Sequence, residues 1–209
     1  MIPTARIWGD NMVKIELKFA AGIPQYTCSS CGRCGSVFAR SLCAIKNRGC
    51  CFYFPKFTLV EIHRMSKSSE GLKVLNNLLK LPGVKVYNYY IHATGYFDSA
   101  AYKRYLQSGQ ISQYKVRDKS IFFKVCPFVK PGKGCTLPPQ YRNFICNSFI
   151  CDEVVERVQE CSAFRYYKDE RVNYADWVQW ENDSLRMQLE EKKLDLVDDL
   201  DGVIATLKG

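Results

Sequence analysis

Val13, Ile15, Leu17 and Phe19 alternate with Lys14, Glu16 and Lys18, the period-two pattern of a strand with one buried face. Gly22-Ile23-Pro24 breaks the alternation and leads into a cysteine-rich stretch that runs to Phe57. Thr58-Leu59-Val60-Glu61 then has the spacing of a capping box, so a helix is expected to begin near Thr58. Ile62 and Met65, followed by Leu72, Leu75, Leu78 and Leu79, carry an apolar face at helical spacing until Leu81-Pro82-Gly83 stops it.

Further on, Val84 to Ile91 reads as a strand and Asp98 to Leu106 as a short helix capped by Asp98 or Ser99. Tyr114–Val116 and Ile121–Val125, separated by Arg117-Asp118-Lys119-Ser120, have the form of a small hairpin. A second cysteine-rich loop occupies Lys124 to Cys151. From Asp152 the pattern is mostly helical, with Val154, Val155, Val158 and Cys161 suited to one face, and it ends in an acidic amphipathic stretch from Leu194. There is no internal repeat and no low-complexity linker. The expected fold class is α+β: a single loop-rich domain with two cysteine-rich metal-binding loops and a mostly helical C-terminal part. Residues 1–151 form the cysteine-cluster domain in this reading. Residues 152–209 form an acidic, mostly helical extension that packs on it or on a partner.

Composition sharpens this picture in two places. The 209 residues suffice for a real core without staples, yet 11 are cysteine, an odd number that cannot all pair internally. The first residues carry no apolar run resembling a signal peptide, and no segment has the length of a membrane span. A reducing, cytoplasmic setting is therefore expected, where clustered cysteines bind metal more often than they form disulfides. Disulfides and inert core thiols remain the alternatives. The net charge of +9 is also uneven: residues 1–151 hold 22 Lys and Arg against 6 Asp and Glu, and residues 152–209 hold 8 against 15. That imbalance fits either a basic surface for an acidic partner or an acidic extension folded back onto a basic domain.

Cys28, Cys31 and Cys34 stand at two-residue intervals, a spacing that lets successive sulfurs face one centre. Tetrahedral zinc and cubane iron–sulfur sites both use it, and three in succession is more typical of a [4Fe–4S] cluster. Cys43, Cys50 and Cys51 complete the first loop. Consecutive side chains diverge, so the Cys50-Cys51 doublet suits one ligand and one spare, or two neighbouring sites. Cys126, Cys135, Cys146 and Cys151 supply four more thiols in the second loop, among the turn-forming Pro131, Gly132, Gly134, Pro138 and Pro139. All ten are candidate metal ligands. Softness of the donor set favours an iron–sulfur cluster, with zinc as the alternative.

The doublet Cys50-Cys51 with the Thr58 helix after it, then Cys126-Pro127-Phe128, Gly134-Cys135 and Arg142 through Cys146, resembles the YkgJ-like zinc- or iron-chelating cysteine-cluster family. Relatives of that family include flagellin lysine N-methylase-like proteins. The resemblance covers roughly Cys28 to Cys151 and implies metal chelation rather than a particular reaction. One departure is that Cys34 is followed by Gly35, whereas the family often closes its first block with the doublet; Cys28, Cys31 and Cys34 then form an expanded arm.

Three functions follow as expectations. The first is a protein carrying one or two [4Fe–4S] clusters for electron transfer or redox chemistry with a protein partner. The second is a zinc-binding, non-enzymatic module that contacts nucleic acid or an acidic protein, through basic residues with interleaved aromatics such as Arg40, Lys46, Arg48, Tyr53 and Lys56. The third, implied by the resemblance, is a protein lysine methyltransferase-like enzyme, for which no glycine-rich cofactor loop is present. His63 and His92 are the only histidines and have no evident catalytic partner. Cys161 reads as a small buried apolar residue.

Overall fold

A computed structural model describes residues 5–8, 14–20, 22–29, 41–43, 52–108, 116–130 and 134–209. Its helices and small antiparallel sheets make a mixed α+β architecture built around three apolar clusters.

The first sheet is a meander of β1 (Ala5–Trp8), β2 (Lys14–Ala20) and β3 (Ile23–Cys28). Ile15 and Leu17 are buried on β2 while Lys14, Glu16 and Lys18 are half-exposed, as alternation requires. Gly22 reverses the chain between β2 and β3 with φ of +74°, a backbone region that glycine enters without penalty. Register places Ile15 opposite Cys28 and Leu17 opposite Tyr26. Helix α5 (Asp152–Val158) and the start of α6 (Ser162–Glu191) cover the Ile15 and Leu17 face with Val154, Val158, Phe164 and Tyr167.

The main core lies under a second sheet of β4 (Lys56–Thr58), β5 (Val84–Tyr87) and β6 (Tyr90–Ala93), in the order β4-β6-β5. Helix α1 (Leu59–Ser66) starts where its capping box predicts: the Thr58 N–H and hydroxyl both donate to Glu61 Oε2, at 2.8 and 2.7 Å. The apolar face read as one helix is divided in two. Ser68 accepts from the Gly71 N–H and opens α2 (Ser69–Leu79), so the chain turns before Leu75 and Leu78 enter the core. Helix α7 (Leu200–Lys208) and the second half of α6 join the same core through Leu185, Leu189, Leu196, Val203 and Leu207. His63 Nδ1 lies 2.6 Å from the Leu207 carbonyl oxygen, and the Lys67 ammonium donates to that of Lys208 at 2.9 Å. These contacts latch the end of α7 to α1.

Two local expectations are corrected. Val84 to Ile91 is a hairpin, turning at Asn88-Tyr89, rather than one strand. The Asn88 carbonyl accepts from the Leu196 N–H at 2.9 Å, and its side chain donates to Asp195 at 3.1 Å. The turn is thus held by contacts more than 100 residues away, which a local pattern does not contain. Ile121, Phe122 and Phe123 form a 3-10 turn, Lys119–Phe123, and not half of a hairpin. All three are buried in the third cluster, with Phe52 and Tyr105, whereas a strand would alternate their faces. Only β8 (Lys124–Val125) is extended there, paired with β7 (Tyr96–Phe97). Tyr114 and Lys115 lie outside the described residues. Asp98 caps α3 (Ser99–Gln107) by accepting from the Ala101 N–H, in keeping with the sequence expectation. Among the described residues no helix is long and apolar enough to cross a membrane.

Candidate functional site

Seven of the eleven cysteines fall within the described residues, and among them Cys28, Cys43, Cys135, Cys146 and Cys161 are free thiols. Cys28 ends β3, and Cys151 and Cys161 are the residues that precede α5 and α6. These three are half-buried and pack against one apolar cluster, that of Ile15, Leu17, Val154, Val158, Phe164 and Tyr167. A thiol from each of the two cysteine-rich loops therefore reaches the same small core. Cys161 is half-buried there rather than an enclosed core residue, because the chain leaves α5 at Val158 and restarts in α6 just beyond it.

Cys126 and Cys135 are held by the main core instead. Cys135 lies in β10 (Gly134–Cys135), which pairs antiparallel with β9 (Val129–Lys130): Cys135 is opposite Val129, whose N–H donates to the Cys126 carbonyl at 3.1 Å. Cys146 sits in the short helix α4 (Phe144–Ser148), with its N–H on the Asn143 side chain at 2.8 Å. Cys43 belongs to the third cluster, where its S–H donates to the Phe122 carbonyl at 3.4 Å. Burial pushes the Cys43 thiol up from its ordinary pKa, against a hydrogen bond from Ser41.

Among the described residues no three His, Cys, Asp or Glu side chains gather as a metal-binding group. Cys31, Cys34, Cys50 and Cys51 lie outside the described residues. The donors that are described, cysteine sulfurs that are buried or half-buried, have the chemistry of a soft-metal site without completing one among the described residues.

Beside Cys146 opens a cleft of about 660 Å³, within the size range of small-molecule sites. Phe54, Pro55, Phe144, Ile145 and Phe149 wall it, and Cys146 and Glu61 line it together with the polar Tyr53, Lys56, Thr58 and Asn143. Glu61 is only 2% exposed, and burial pushes its carboxyl above the usual range, although the two Thr58 contacts and the nearby Arg64 oppose the shift. The Arg64 guanidinium itself donates to the Tyr174 hydroxyl at 2.7 Å and to the Gln140 carbonyl at 3.2 Å. His92 is held below its ordinary pKa, first by burial and then by Lys56 and Lys85 on the neighbouring strands. It is a neutral residue of the sheet at physiological pH.

Sequence reasoning took Glu61 for a helix cap alone. It is one, but it also borders the cleft, because the Phe144 end of α4 packs over the start of α1. Only the pairing of two segments more than 80 residues apart creates that role, and neither segment signals it alone.

No family model, no curated protein and no solved structure matches this chain.

Proposed function

We propose that this chain is a metal-binding cysteine-cluster protein that carries one or two [4Fe–4S] clusters and works in electron transfer or redox chemistry with a protein partner, in the reducing cytoplasm. The observation that carries the reading is the Cys28-x2-Cys31-x2-Cys34 run, whose spacing suits sulfurs converging on one centre. Two features of the fold support it. Cys28 and Cys151, from separate cysteine-rich loops, pack against one apolar cluster. Cys28, Cys135 and Cys146 are free thiols, the form from which a metal ligand is made.

A bound cluster would supply one-electron chemistry. The chain's own residues would set the conditions for it. Apolar side chains around Cys28 and Cys151 limit water at the sulfurs, a determinant of the reduction potential. The cleft beside Cys146 is a place where a small molecule could bind close to the second loop.

The test is metal and acid-labile sulfide content, with an absorption spectrum, on protein purified without oxygen. Iron with matching sulfide and a broad brown charge-transfer band is the expected result. Zinc without sulfide would replace the cluster by a structural metal and remove the redox function. Neither metal, with thiols free throughout, would overturn the proposal.

A further inference from the structure

Helix α6 has one face accounted for by the core and another that no other described residue covers. Phe164, Tyr167, Leu185 and Leu189 are buried, and Val178 packs against the main core. That period predicts polar residues on the opposite side. Instead Trp180 is 66% exposed, Met187 62% and Trp177 44%. Trp180 follows Val178 by two residues, and Met187 follows Leu185 by two, so each points about 200° away from a core position at 3.6 residues per turn. Trp177 lies one turn before Trp180. Together they form an apolar strip about 15 Å long at 1.5 Å per residue. Single exposed apolar residues need no explanation, but large ones that recur on one helix face mark a contact surface; here they include two of the chain's three tryptophans, with Asp183 and Ser184 between Trp180 and Met187.

Charge says what kind of surface it is. Asp176 and Asp183 flank Trp180 at i−4 and i+3, and both are exposed. Neither forms an ion pair with another described residue. Asp183 accepts only from the neighbouring Gln179 side chain, at 2.8 Å. The nearest base on the helix, Arg186, is engaged elsewhere: it bonds Glu190 at 2.7 Å and lies over the Tyr89 ring, 4.9 Å from its centroid. Between 172 and 191 the helix carries five carboxylates and that single arginine. Such a face repels nucleic-acid phosphates and anionic lipid. It attracts lysine or arginine, which gain both from the carboxylates and from the tryptophan rings. At one end of the strip a cleft of about 390 Å³ opens between Ile23, Tyr174 and Trp177, with Arg64, Glu170 and Asn173 also on its lining; it is large enough to take a side chain from a facing helix, an uncharged one because Arg64 lies there.

We infer that the Trp177–Trp180–Met187 face of α6 docks a basic amphipathic helix of a partner protein. The partner's apolar residues, spaced by three, four and seven positions, lie along the strip. Its lysines or arginines meet Asp176 and Asp183. This docking does not depend on the metal proposal, since none of its residues is a cysteine.

The test uses the full chain and a labelled synthetic helix of leucine and lysine, about 18 residues or five turns long, with a glutamate-for-lysine version as control. The expected result is saturable binding of the lysine peptide with a blue shift in tryptophan emission. Trp180→Ala should weaken it at least about tenfold, as for a hot-spot aromatic. Asp176→Asn with Asp183→Asn should weaken it and flatten its salt dependence. Both variants should keep the wild-type circular dichroism, because the changed side chains are exposed. Failure of the lysine peptide to bind at about 1 mM, equal binding of the glutamate peptide, or full binding by Trp180→Ala would overturn the inference. So would a dimer of the chain alone that Trp180→Ala converts to monomer, which would make the face a self-interface.

Discussion

Two glycines in equivalent helical positions offer a controlled test of how tightly α1 and α2 are joined. Gly71 is the third residue after the Ser68 cap of α2, and Gly202 the third after the Asp199 cap of α7; each donates its N–H to the cap side chain, at 3.0 and 2.8 Å. Alanine should gain roughly 1 kcal/mol of helix propensity at both. The surroundings differ. A Cβ at Gly71 would press on the Met65 carbonyl and lie 2.8 Å from two more backbone atoms of that residue. Ordinary carbon contacts fall at about 3.5–4.0 Å, so the joint between the helices would have to open by close to 1 Å. A Cβ at Gly202 would meet only the Asp199 side chain, which can rotate away at the expense of the cap, about 1 kcal/mol. Overpacking against backbone costs about 1–3 kcal/mol. Contacts this short against backbone, which cannot rotate away, put Gly71→Ala in the upper part of that range, about 2–3 kcal/mol, so after the propensity gain it should be destabilised by about 1–2 kcal/mol, and Gly202→Ala should stay near wild type. For a chain of this length the first change lowers Tm by roughly 2–8 °C. Thermal and urea unfolding by far-ultraviolet circular dichroism, at matched metal content, measures both. A Gly71→Ala protein as stable as the Gly202→Ala protein would refute the argument that the Met65 backbone closes on α2.

Glu61 should make stability depend on pH in a defined sense. Its folded pKa is raised, so its contribution is present in full below the unfolded value of about 4.3 and is lost as pH rises through the folded value. Wild type should accordingly lose stability relative to Glu61→Gln over that window, in urea titrations at a series of pH values; a constant difference would contradict the assignment. Tyr167 is 1% exposed, its hydroxyl has no hydrogen-bond partner among the described residues, and burial pushes its pKa up to about 12. Tyr167→Phe should be neutral or more stable by about 1 kcal/mol, because an unsatisfied buried hydroxyl is removed, and a loss of stability would reveal a bond that the phenol makes. Finally, Cys31→Ser should lose most of its bound iron while Cys161→Ser retains it, measured as iron and sulfide per chain. The opposite pattern would move the cluster away from the two-residue repeat.

Strand β2 and the starts of α1 and α3 were legible because their signals are local. Alternation from Ile15 to Phe19, the Thr58–Glu61 box and the Asp98 cap each act within a few residues. The division of α1 from α2 was not legible. Ser68 is an ordinary helix residue by pattern and becomes a cap only because the two helices fold onto one core. The hairpin at Asn88 was hidden in the same way, since its turn is held by Asp195 and Leu196. For the candidate site, the cysteine spacing is the ground of the metal proposal, but it did not indicate that six of the seven described thiols would separate among three apolar clusters.

What the sequence by itself determined was the α+β class, the one-sided burial of β2, the capped helix starts and the supply of thiols, because each depends on the order of neighbouring residues. Tertiary structure alone decided that Cys28 and Cys151 share a core with Cys161, that Glu61 borders a cleft, and that Trp180 faces outward. Those facts follow from which surfaces meet after long loops close, and loop closure costs too little per added residue for local sequence to choose among the pairings.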